Sequence, residues 1–198
     1  MRSVEANAAA VDKKLHAGDY ACPSCDGELR PWGYARQRTV GRGADKVPIR
    51  PRRSRCRACL VTHVLLPVLC LLRRCDLAEM IGKGLALKVA GWGYRRIAAS
   101  LGIPATTAGD RGRRFEDKAE ALRGHFTTLA YFLDASLGAI DPRDSLLADA
   151  LEAIVAAAGA ASRTFGPAPL WRFASGASSG RLLSNTNPSL PPSWVVRK

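Results

Sequence analysis

Residues 54–67 read SRCRACLVTHVLLP: two cysteines three positions apart in a basic stretch, then a histidine, then an apolar run. A lone Cys-x-x-Cys has three readings: a redox pair, half of a metal site, or two small buried hydrophobes. The choice turns on a partner, and CPSCDGEL at 22–29 supplies one. Cys22 and Cys25, with Cys56 and Cys59 after a gap of thirty residues, make the donor set of a four-thiolate zinc site. Each pair predicts a tight knuckle whose backbone N–H groups point at the sulfurs, with an intervening hairpin bringing the knuckles together. Pro23 and Gly27 suit such a turn. Zinc accepts four thiolates without redox demands, and its binding replaces the hydrophobic core that so small a lobe lacks. The competing readings are reduced structural cysteines or a redox pair, but a redox motif wants one pair between a strand and a helix. Four protein ligands close the site, which argues against chemistry at the metal. His63 is either a ligand in place of a cysteine or, the preferred reading, a hydrogen-bonding residue beside the knuckle. Cys70 and Cys75 are expected as small buried hydrophobes.

Lys and Arg number 30 against 17 Asp and Glu in 198 residues, a formal charge of +13. That balance suits a polyanionic partner, most simply nucleic acid, without choosing among DNA, RNA and an anionic membrane surface. The N-terminal residues contain no apolar signal segment, and the longest apolar run, VLLPVLCLL at 64–72, is nine residues with a proline inside. It is too short to span a bilayer. A cytoplasmic location is therefore expected, where thiols stay reduced and metal binding gains over disulfides. No membrane partner and no small-molecule substrate are expected.

The pattern along the chain predicts an α+β protein, mainly α. Residues 1–19 read as a flexible leader, 20–67 as a zinc ribbon of short strands with GRGAD (41–45) at a hairpin tip, and 76–124 as a helix-turn-helix-like domain. A helical extension at 125–164 and a poorly ordered tail rich in Pro, Ser and Asn at 165–198 complete it. The first helix should open with Asp76 as N-cap and Glu79 three residues on, carry Leu77, Met80, Ile81 and Leu85 inward, and stop at Gly91.

GWGYRRIAASLGIPATTAGDRGRRF (91–115) has helix-turn-helix spacing. Ile97, Ala98 and Leu101 would face inward, Gly102 would turn, Ile103 would plug the gap, and the helix starting near Thr106 or Thr107 would enter a major groove. Arg95, Arg96, Arg111, Arg113 and Arg114 suit phosphate contacts, as do Arg50, Arg52, Arg53 and Arg55 in the ribbon. The alternative is a helical hairpin with a solvated basic face.

CPSCDGELRPWGYAR, RPRRSRCRACLVTHVLLP, GYRRIAASLGIP and GRLLSNT together resemble an uncharacterised actinobacterial family of zinc-ribbon plus helix-turn-helix proteins. These are similar to the N-terminal zinc-finger region of transposases and are often associated with insertion elements. The resemblance spans about residues 20–187 and implies zinc on Cys22, Cys25, Cys56 and Cys59, and DNA binding by residues 95–114. The chain departs from the family at Leu60, where a glycine is expected, and at Ala108, Arg111 and Gly112, which replace an aliphatic residue, a tryptophan and a leucine. Gly109 and Gly112 are expected to fray that helix at about 1 kcal/mol each, and a leucine at 112 to add burial.

Two functions follow as expectations. One is a non-catalytic zinc- and DNA-binding accessory or regulator of a mobile element. The other is an adaptor that contacts a transposase or integrase through the ribbon or the Ala-rich helices of 126–161. A transposase itself is set aside, because Asp134, Asp141, Asp144, Asp149 and Glu152 are scattered over helices and their connection rather than gathered for two metal ions. GRGAD and GKG also lack the context of a phosphate-binding loop.

Overall fold

The computed structural model describes residues 1–43, 45–184 and 190. They form an α+β fold of six strands and seven helices, with the strands in the first third of the chain. A four-stranded sheet has the order β1-β6-β5-β2: β1 (Arg2–Val4), β2 (Leu29–Tyr34), β5 (Arg52–Cys56) and β6 (Thr62–Pro67). β1 runs parallel to β6, and the other pairings are antiparallel. A separate hairpin pairs β3 (Arg38–Arg42) with β4 (Asp45–Ile49), and Gly43 at its tip has φ +69°. The tip falls in GRGAD as the sequence indicates.

Residues 1–19 are not a loose leader. After β1, Asn7 caps helix α1 (Ala8–Ala17) by accepting from the N–H groups of Ala9 and Ala10, and Gly18 ends it at φ +86°. Val11 and Leu15, one turn apart, are buried with Val4, Tyr20, Leu29 and Leu65 against Cys22 and Cys56. The segment is too short to show its period beside an alanine run, yet Val4, Val11 and Leu15 are three of the eight buried residues of this lobe's core. Asp12 of α1 also pairs with Arg52 of β5.

The helices are α2 (Ala78–Val89), α3 (Tyr94–Leu101), α4 (Ala105–Glu116), α5 (Ala119–Leu133), α6 (Leu146–Phe165) and α7 (Leu170–Ala177). One core runs through α2, α4, α5, α6 and α7, with Ile81, Leu85, Phe115, Leu122, Phe126 and Ile154 among its buried members. The boundary expected at 124/125 lies inside α5, so the helical extension shares this core. Alanines 150, 153, 157 and 160 of α6 recur at helical spacing and are fully buried, which lets α5 approach closely.

The tail expected from 165 onward is corrected in part. α7 lies in it, Leu182 and Leu183 are buried, and Arg74 donates to the Leu183 carbonyl at 2.6 Å. Trp171 covers Gly82 of α2, where a Cβ would meet the ring. The rest of that expected tail, 185–189 and 191–198, lies outside the described residues. Cys75 is exposed rather than buried, while Cys70 is buried as expected. Asp76 is not the N-cap of α2: that position is Leu77, without a side-chain cap, and the Asp76 carboxylate turns toward Arg111 instead.

Candidate metal centre

Cys22, Cys25, Cys56 and Cys59 offer four sulfurs that all lie within 4.8 Å of one another. Cys22 and Cys59 are 3.7 Å apart and Cys25 and Cys56 are 3.5 Å apart, far beyond a disulfide. Four thiolates placed tetrahedrally at about 2.3 Å from a zinc ion would be about 3.8 Å apart. The cluster therefore has the donor chemistry and close to the spacing of a closed four-thiolate metal site.

Each pair sits at the tip of an antiparallel turn. The first lies inside the Ala21–Glu28 bridge and the second between β5 and β6. The two tips repeat one geometry: the Ser24 N–H donates to Cys22 Sγ at 3.4 Å and the Ala58 N–H to Cys56 Sγ at 3.3 Å. The residue after the second cysteine is left-handed in both, Asp26 at φ +60° and Leu60 at +62°. Leu60 thus takes a conformation glycine would adopt freely, at the cost of backbone strain, and repeats the turn at Asp26. Gly27 is required for another reason. A Cβ there would lie 2.8 Å from Ala58 Cβ and 3.0 Å from Cys56 Sγ.

His63 is buried, with Nε2 at 3.3 Å from Cys22 Sγ, while its Nδ1 lies 3.2 Å from the Met1 nitrogen. The tautomer that satisfies both contacts carries its proton on Nε2 and donates to the sulfur, the role preferred from sequence.

The thiols divide their protons unequally. Burial pushes the Cys22 thiol up, but the N–H groups of Ser24 and Cys25 and the contacts from Cys59 and His63 outweigh it and leave it lowered. The Cys59 N–H, against burial, brings Cys56 down to about 7. Cys59 receives the Val61 N–H, yet its contacts with Cys25, Cys56 and Cys22, together with burial, push it up to about 12. Four neighbouring sulfurs cannot all ionise without a counter-charge, and a divalent cation supplies one.

The basic residues expected to meet DNA are spread over two surfaces. On the ribbon, Arg50 and Arg52 stack on Tyr34 at 4.7 and 4.3 Å, and Arg55 lies over Trp32 at 4.7 Å. Arg53 is half-buried on β5, and Arg52 is largely committed to Asp12. On the helices, α3 and α4 meet through Ile97, Ala98, Leu101 and Ala108, with Gly102 at φ +63° and Ile103 packed on that cluster. Arg95 and Arg96 are exposed, Arg96 stacking on Trp92 at 3.7 Å. Thr106 and Arg113 are exposed and Thr107 is half-buried, while Arg114 pairs with Asp110 at 2.7 Å.

Arg111 does not belong to that surface. Its side chain is 7% exposed and paired with Asp76. α4 is also unbroken through Gly109 and Gly112, because Gly112 is a buried contact point: a Cβ there would lie 2.7 Å from Lys88 Cδ of α2. Asp76 as a partner for Arg111 was not visible in sequence, since thirty-four residues separate them and Asp76 resembles a helix cap. The pairing of Trp32 with Arg55 is signalled in sequence only by an aromatic residue among arginines and turn residues.

No known protein family, curated protein or solved structure matches this chain.

Proposed function

We propose that the chain is a non-catalytic, zinc-binding and DNA-binding protein that acts as an accessory or regulator of a mobile element. The observation that carries this reading is the sidedness of α4. Ala108, Arg111, Gly112 and Phe115 form its buried side, which leaves Thr106 and Arg113, two turns apart, exposed on one face. Arg95 and Arg96 of α3 add exposed cations in a chain of charge +13. An open face of this composition fits a helix laid along a phosphate-lined groove. Zinc on the four cysteines would hold the ribbon together, and its arginines would contact further phosphates. Reduced thiols of this kind suit the cytoplasm.

Affinity for duplex DNA should then fall with salt by about 0.9 log units per log unit for each phosphate contact. Charge reversal at Arg95 and Arg113 should flatten that slope. An undetectable or salt-insensitive interaction would count against DNA binding.

One observation favours a second reading, an adaptor for a transposase or integrase. An open groove of about 670 Å³ between α5, α6 and α7 is lined by Leu129, Phe132, Phe165 and Phe173. Phe165 is 77% and Phe132 50% exposed. Apolar exposure of this kind often marks a protein contact, and tight partner binding without DNA binding would favour it.

A further inference from the structure

A second groove, of about 610 Å³, lies beside the knuckle of Cys56 and Cys59. Trp32, Leu60 and Pro31 supply apolar surface, and Arg30, Arg55 and Arg57 also line it. Trp32 is half exposed on β2, outside the lobe's buried core. The Arg55 guanidinium lies over the ring at 4.7 Å, and the Arg55 Nε donates to the Leu60 carbonyl at 3.2 Å. The three residues line one groove: a flat aromatic ring, a guanidinium lying over it and an aliphatic side chain on the same wall.

Leu60 is the unexpected member. It is 57% exposed, so burial does not hold it in place, and its φ of +62° is a conformation glycine adopts freely. An exposed leucine in a strained turn weakens the fold and adds apolar surface to water. Strain of this kind is kept where it serves a site. The rim is positive: Arg57, 68% exposed, and Arg30 share the single carboxylate of Glu28.

We infer that this groove binds an unpaired nucleobase of a single-stranded nucleic acid, with the base on Trp32 and Leu60 and the flanking phosphates on Arg57 and Arg30. Exposed π-faces are what an unpaired base offers and a duplex hides. The arginine rim supplies the matching charge. Nothing in the groove singles out a ribose hydroxyl, so DNA and RNA strands share the chemistry it reads. The inference does not depend on α4, whose face serves the duplex reading.

The test uses the full zinc-loaded chain and fluorescence anisotropy with labelled oligo-deoxythymidine, oligouridine and a duplex of matched length. The single strands should bind, and whichever of the two binds more tightly identifies the source of the ligand. Trp32→Ala should weaken single-strand binding about tenfold, as expected for loss of one stacked base, and leave duplex binding unchanged. Trp32→Phe should restore most of the loss. Leu60→Gly should raise the melting temperature while weakening single-strand binding, opposite signs that a purely structural residue would not give. Should Trp32→Ala misfold, Leu60→Gly decides alone. Absence of single-strand binding, unchanged binding in the variants, or equal losses on duplex and single strand would overturn the inference. Single-strand binding without duplex binding would uphold it and overturn the reading of α4.

Discussion

Arg111 of α4 and Asp76, two residues ahead of α2, form an ion pair in which the side chains are only 7% and 15% exposed. The pair stands where three elements meet. The Gly41 N–H of β3 donates to the Cys75 carbonyl at 2.7 Å, and the Leu77 N–H donates to the Gly41 carbonyl at 2.9 Å. Gly41 is needed there, since a Cβ would collide with the Asp76 carboxylate. The hairpin, the start of α2 and the middle of α4 are thereby fixed to one another.

Removing one partner of such a pair strands the other as a buried charge. Asp76→Ala should cost about 3–5 kcal/mol of stability, and Asp76→Leu with Arg111→Leu markedly less than the sum of the single changes. Denaturant unfolding of the three variants measures this. Equal and additive small losses would show that the pair is solvated.

The two glycines of α4 should behave oppositely. A Cβ at Gly109 meets only the Tyr94 ring at 3.7 Å, ordinary contact. Gly109→Ala should therefore stabilise the helix by about 0.5–1 kcal/mol. Gly112→Leu should destabilise it, because Gly112 is buried against α2 and a leucine there must displace the Lys88 side chain, whose Nζ pairs with Glu116 at 3.4 Å. Thermal melts of both variants would show the contrast, and a stabilising Gly112→Leu would contradict the packing described.

The cluster of four cysteines was legible because their spacing alone suggests the chemistry, and the pair of helices at 94–116 because Ile97, Leu101, Gly102 and Ile103 follow helix and turn periodicity. What was missed depends on distant contacts. α1 has a capping Asn7 and a closing Gly18, but its buried side rests on only Val11 and Leu15, and the surface they cover is built by strands that follow later in the chain. Arg111 looked like a phosphate ligand because a buried arginine declares itself only through its carboxylate. Gly112 looked like a defect because the sequence does not reveal that Lys88 lies against it.

Gly27→Ala tests the tightness of the sulfur cluster. The added methyl would sit 3.0 Å from Cys56 Sγ and 3.4 Å from Cys25 Sγ. Metal affinity should drop at least tenfold, measured by competition with a chromophoric chelator, while the helical signal in circular dichroism is retained. Unchanged affinity would mean the four sulfurs do not converge as described.

His125 gives the helical core a pH dependence. Burial holds its pKa below the ordinary histidine value of about 6.5, against the opposing effect of its contact with the Ala177 carbonyl, so the folded ring stays neutral longer than the unfolded one. The unfolded chain takes up its proton first as pH falls through 6.5, so this stability is present above that pH and is lost below it. His125→Gln should flatten the fall in melting temperature on acidification. An unchanged profile would assign the dependence elsewhere.

The most direct test of the account is metal analysis of the purified chain combined with amide exchange before and after chelation. One zinc per chain is expected, lost in Cys56→Ser. Chelation should remove protection from the β-sheet lobe through Pro67, including α1, whose buried side chains pack on Cys22 and Cys56, and leave α5 and α6 protected. A chain that carries no metal, or one whose lobe keeps its protection after the metal is stripped, would contradict it.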